Sequence, residues 1–112
     1  MKVLIHAMEE MYQGLHGIES SIFIEVKDRK EASMIASDMS REVIEDYTMN
    51  TITEIAEEEG YDIDELIDEN LCYYIYEVND KGNSMSIEKL NNLLYTEGVE
   101  YMIDNYTKGE IM

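Results

Sequence analysis

Apolar residues recurring at three- and four-residue steps commit the middle of this chain to one long helix. Ala32, Ile35, Ala36, Met39, Val43, Tyr47, Ile52, Ile55 and Ala56 collect on a single face. Asp28, followed three residues later by Glu31, has the spacing of a capping pair that starts a helix at Arg29, and Gly60 supplies the left-handed stop. Unbroken, such a helix spans about 45 Å at 1.5 Å per residue, which is long for a chain of 112 residues. Tyr47, Thr48, Thr51 and Thr53 are modest helix formers, so a break near Met49 and Asn50 stays open.

The other side of this helix is acidic. Glu31, Asp38, Glu42, Glu45, Asp46 and Glu54 lie opposite the apolar stripe, and Glu57, Glu58 and Glu59 crowd the last turn. Carboxylates at a helix C-terminus oppose its dipole, and like charges four residues apart, as in Asp38 and Glu42, repel by a few tenths of a kcal/mol. Local stability therefore did not dictate the placement. Beyond Gly60, the carboxylates Asp62, Asp64, Glu65, Asp68 and Glu69 continue along a second, short helix whose Ile63, Leu66 and Ile67 face inward. The acid is expected to form one surface.

Composition bounds what such a surface meets. With 45% hydrophobic residues the chain belongs among folded proteins, and it is expected to be a single domain over residues 1–112. A net charge of −18 repels nucleic acid and anionic membrane alike, which leaves basic protein surfaces as the matching partners. Abundant Ile, Asn, Tyr and Met with little Ala speak against salt adaptation as the origin of the charge. The opening apolar run is too short for a secretion signal, and none approaches the roughly 20 residues that span a bilayer. One cysteine, Cys72, permits no internal disulfide, so a cytoplasmic setting is expected.

The remaining elements frame this centre. Residues 2–6 read as a strand apolar on both faces, and 21–26 as a second strand with Ile22, Ile24 and Val26 on one side and Phe23 on the other. Between them, 7–20 reads as a glycine-containing loop whose Met11, Tyr12 and Leu15 form a second candidate contact surface. Residues 71–78, apolar on both faces, read as a central strand, 79–83 as a turn, and 86–98 as a helix capped by Ser86 and ended by Gly98. A last helix over 99–106 precedes a tail expected to fray from Thr107. The expected architecture is α+β, in the order ββααβαα: a small, three-stranded, mainly antiparallel sheet with one long acidic helix across a face and shorter helices. Whether the active form is a homodimer stays open.

Catalytic and cofactor chemistry finds no foothold. Asp62, Asp64, Asp68 and Glu69 lack the sixth-position glycine of a calcium loop and sit in a helical pattern, and His6 and His16 read as strand-end and loop residues. No metal site and no cofactor are expected. Cys72 sits between apolar neighbours as a packed thiol, and the loop from Gly14 to Gly17 has no nearby cation to neutralise a phosphate. The expectation is a non-enzyme.

Small size, lack of proline, and acid runs such as Glu57-Glu58-Glu59 and Asp62-Ile63-Asp64-Glu65 resemble small phage-encoded inhibitors of bacterial defence nucleases, the anti-CRISPR and anti-restriction DNA mimics. The resemblance implies stoichiometric binding to the basic nucleic-acid-binding surface of a CRISPR effector or restriction nuclease in the host cytosol. On that reading Asp38, Glu42, Glu45, Asp46, Glu57, Glu58, Glu59, Asp62, Asp64, Glu65, Asp68 and Glu69 meet the partner's Lys and Arg residues, with Met11, Tyr12 and Leu15 as apolar anchors. The competing expectation is an interaction module or antitoxin-like adaptor whose acidity is incidental.

Overall fold

A computed structural model describes residues 1–9 and 19–111. In chain order they form β1 (Lys2–Glu9), β2 (Glu19–Glu25), α1 (Arg29–Val43), a π-helical segment (Ile44–Thr48), α2 (Met49–Glu59), α3 (Ile63–Glu69), β3 (Leu71–Val78), α4 (Asp80–Asn83), α5 (Ile87–Glu97), α6 (Val99–Tyr106) and β4 (Thr107–Glu110). The four strands make an antiparallel sheet in the order β2-β1-β3-β4. The class is α+β as expected, but the three-stranded sheet and the order ββααβαα are corrected. Thr107 does not begin a frayed tail: Glu110, Gly109 and Thr107 pair antiparallel with Tyr76, Glu77 and Val78 across a register shift. The Ile111 N–H extends the pairing, donating to the Ile75 carbonyl at 2.7 Å. Thr-Lys-Gly-Glu carries no apolar alternation, so main-chain hydrogen bonding, not a side-chain pattern, makes this strand.

The helix is continuous from Arg29 to Glu59 through the π segment, whose flanking Val43 and Met49 both keep right-handed helical angles. In an unbroken α-helix Ile52 would sit roughly 80° around the axis from Ile44. A π segment closes its bonds one residue further along, and the wider turn takes up that offset: Ile44 and Ile52 are buried in one cluster. Capping follows the sequence at both ends. The Glu31 N–H donates to Asp28 Oδ1 at 2.9 Å, and Gly60 turns the chain at φ +73°.

The chain divides into two compact units. Described residues of Met1–His6, Ser21–Ala36 and Tyr74–Met112 form one, and those of Ala7–Ser20 and Ser37–Tyr73 the other. In the first, Leu4, Phe23, Val78, Leu90, Met102 and Tyr106 make the core, each large side chain stabilising by about 1.5–3 kcal/mol on burial. Phe23 is fully buried there while Ile22 stays 36% exposed. Beside this core, α4 is built on Asn79, whose Oδ1 accepts from the Gly82 N–H at 2.9 Å and whose own N–H donates to the Tyr106 carbonyl at 2.9 Å.

In the second unit Ile44, Ile52, Ala56, Leu66 and Ile67 form the core. α3 starts at Asp62, whose Oδ1 accepts from the N–H groups of Asp64 and Glu65. Ser40, on α1, is fully buried. Its hydroxyl donates to the Met8 carbonyl and accepts from the Cys72 N–H, so one buried side chain satisfies its own hydroxyl and bridges main-chain groups of β1 and β3. Residues 7–9 are therefore strand, where the sequence suggested loop.

Tyr76, paired with Glu110, has its phenol raised above the ordinary range, first by burial, then by the Glu110 carboxylate and by Tyr74. A raised acid keeps its proton in the folded state after the unfolded chain has lost it, so the associated stability is complete below the ordinary phenol range and is lost as pH rises through it. Urea midpoints from about pH 9 upward should fall less for Tyr76→Phe than for the parent chain; parallel decline would refute the assignment.

Candidate partner-binding surface

The acidic residues singled out from the sequence all belong to the second unit and all are exposed: Asp38 on α1, Glu42 beside it, Glu45 and Asp46 on the π segment, Glu57, Glu58 and Glu59 on α2, and Asp62, Asp64, Glu65, Asp68 and Glu69 on or capping α3. With Glu54 they make thirteen carboxylates in Ser37–Tyr73, against one base, Arg41, a net −12. The first unit holds ten acids and seven bases, a net −3, and Glu9, Glu10 and Glu19 supply the last three of the −18. Charge is thus segregated, not spread. Met11, Tyr12 and Leu15, the expected apolar anchors, lie outside the described residues, as do His16, Gly14 and Gly17.

The one base is also engaged. Arg41 Nη2 forms an ion pair and hydrogen bond with Asp68 Oδ1, linking α1 to α3. Nothing in the spacing of Arg41 and Asp68 announced this contact, although Arg41 is the lone cation between Lys30 and Lys81. Such exposed pairs contribute about 0.2–1 kcal/mol, enough to orient α3 without neutralising the surface.

From Asp38 to Glu59 the helical path covers about 31 Å at 1.5 Å per residue and carries eight carboxylates. One strand of duplex DNA places about nine phosphates over that length. The carboxylates fall in two groups, Asp38 to Asp46 and Glu54 onward, separated by seven uncharged residues that begin within the π segment. At the C-terminal turn of α2 no base offsets Glu57, Glu58 and Glu59, whereas Asp64 and Glu65 lie in the first turn of α3, where the dipole favours them.

Glu19, Glu42 and Asp46 line a shallow depression with Ser20, Met39 and Val43. Among the described residues no group of three or more His, Cys, Asp or Glu side chains could hold a metal ion. Cys72 is half-buried on β3, its N–H taken by Ser40. No described helix is long and apolar enough to cross a membrane. No family model, curated protein or solved structure matches this chain.

Proposed function

We propose that this chain is a non-catalytic acidic inhibitor that occupies the basic nucleic-acid-binding surface of a host defence nuclease, of the CRISPR-effector or restriction type, within the cytosol. The observation that carries the reading is the segregation of charge: thirteen exposed carboxylates and a single, paired base in Ser37–Tyr73, against a near-balanced first unit. A basic cleft shaped for a phosphate backbone meets a comparable linear charge density in α1, α2 and α3, and the same release of counterions would reward binding. Charge of this sign also speeds encounter with a cationic cleft. Glu54, which is exposed and opens the second carboxylate group, joins the proposed surface.

Competition decides it. The purified chain is titrated against host CRISPR effectors and restriction nucleases with labelled duplex DNA as competitor. Expected are mutually exclusive binding, inhibition at one equivalent without turnover, and an affinity that falls by about 100-fold or more between 50 and 500 mM salt. A complex that holds the chain and DNA together, or that ignores salt, would exclude mimicry.

A further inference from the structure

The two edges of the sheet differ. β4 is short, carries Lys108 and Glu110, and pairs across a register shift, all devices that discourage strand addition. β2 has none of these at its centre: its seven residues include Ile22, Phe23 and Ile24 in succession, the composition of an adhesive edge.

The side on which β2 exposes its backbone can be read from its far end. Val26 and Met1 exchange hydrogen bonds in both directions, at 2.8 and 2.9 Å, which turns the main-chain groups of even-numbered residues toward β1. Alternate residues in an antiparallel strand point the opposite way. Phe23, with Ser21 and Glu25 on the same parity, therefore directs its N–H and C=O to the open edge.

At Phe23 that edge is filled. The Phe23 N–H donates to Asn91 Oδ1 at 2.8 Å, and Asn91 Nδ2 donates to the Phe23 carbonyl at 3.0 Å. A carboxamide offers one acceptor and donors in a plane, the same pair of functions that a residue of a neighbouring strand presents. Leu90, adjacent on α5, is fully buried in the core that holds Phe23, so the carboxamide is delivered by a fixed helix. Ser21, Ile22, Asn91, Leu94 and Tyr95 line an uncharged depression beside the edge, and Tyr95 is 93% exposed.

We propose that Asn91 is an edge lock: its side chain stands in for an adjoining strand at Phe23 and bars β2 of a second copy from pairing there. A second copy is the occupant excluded, because the first unit's net −3 makes this the part of a −18 molecule where like copies repel least. Amide hydrogen exchange and sedimentation of the full chain test it, in about 0.5 M salt to screen residual repulsion. The parent chain should be monomeric, with the Phe23 amide protected about tenfold or more beyond those of Ser21 and Glu25. Asn91→Ala should lose that protection and self-associate with rising concentration. If Asn91→Ala does not fold, Asn91→Leu, which keeps the bulk of the side chain but has neither the acceptor for the Phe23 N–H nor the donor for its carbonyl and adds no charge, carries the same comparison. The lock is overturned if Phe23 exchanges as fast as Ser21 and Glu25 in the parent, or if the folded variant stays monomeric.

Discussion

Replacing Glu57, Glu58, Glu59, Asp64, Glu65 and Glu69 by their amides should make the protein more stable and weaken the proposed binding to a defence nuclease by a factor of about 100 or more. The six lie on α2 and α3 and are all exposed, and none caps a helix or pairs with Arg41, so the substitution leaves Asp62 and Asp68 in place. At about 0.5 kcal/mol for each exposed charge contact, six lost contacts total about 3 kcal/mol, roughly two decades in affinity. Stability moves the other way at the end of α2. Glu57, Glu58 and Glu59 face the negative end of the helix dipole with no base among them, and each charge removed there returns about 0.3–1 kcal/mol. Asp64 and Glu65 begin α3, where neutralisation forfeits a little of that gain. The opposed signs are the test. Thermal unfolding and nuclease inhibition are measured on the same preparation; a gain in stability with undiminished inhibition would leave the charge with no role in binding.

The helical half of the fold was legible because caps and stops are local chemistry. Asp28, Ser86, Gly60 and Gly98 end their helices where the sequence placed them: Ser86 Oγ accepts from the Lys89 N–H at 3.1 Å, and Gly98 sits at φ +89°. Periodicity placed Ala32, Ala36, Val43, Ile52, Ala56, Leu66 and Ile67 inward, and all are buried, whereas Ser40 and Ile44, fully buried, lay off the stripe it drew. What escaped was the sheet. β4 has no pattern of its own and exists because β3 presents unpaired main-chain groups to it. The extension of β1 through Ala7 and Met8 depends in part on Ser40, 32 residues away from Met8. Alternation put Ile22 and Phe23 on opposite faces of β2 but could not say that Phe23 is fully buried and Ile22 36% exposed, because that is set by which partner covers each side.

The candidate surface divided along the same line. That the carboxylates are exposed follows from their own chemistry and was readable residue by residue. That they share one unit, that the only base there is paired with Asp68, and that the first unit is nearly balanced are facts about which distant segments come together. Asn91 is the sharpest case: an ordinary helix asparagine by sequence, it is recognisable as an edge cover only once Phe23, 68 residues earlier, is beside it.

Among the described glycines, Gly82→Ala should be the most destabilising substitution, by about 3 kcal/mol. A Cβ at Gly82 would lie 2.4 Å from Val78 Cγ1 and 3.1 Å from the Tyr106 carbonyl oxygen. Neither neighbour yields easily. Val78 is fully buried and stiff at χ1, and the Tyr106 carbonyl accepts the Asn79 N–H at 2.9 Å. Moving α4 away instead would stretch the Gly82 N–H from Asn79 Oδ1 and carry Lys81 off the Tyr106 ring, 4.8 Å from its centroid. Gly60→Ala is the matched control. It meets nothing within 4 Å, so its penalty is the left-handed backbone alone, about 1–2 kcal/mol. Thermal unfolding should therefore rank Gly82→Ala below Gly60→Ala, with a drop on the order of 10 °C or more from the parent. The reverse order would mean that α4 can leave Val78 and Tyr106 at little cost and that Asn79 does not anchor it.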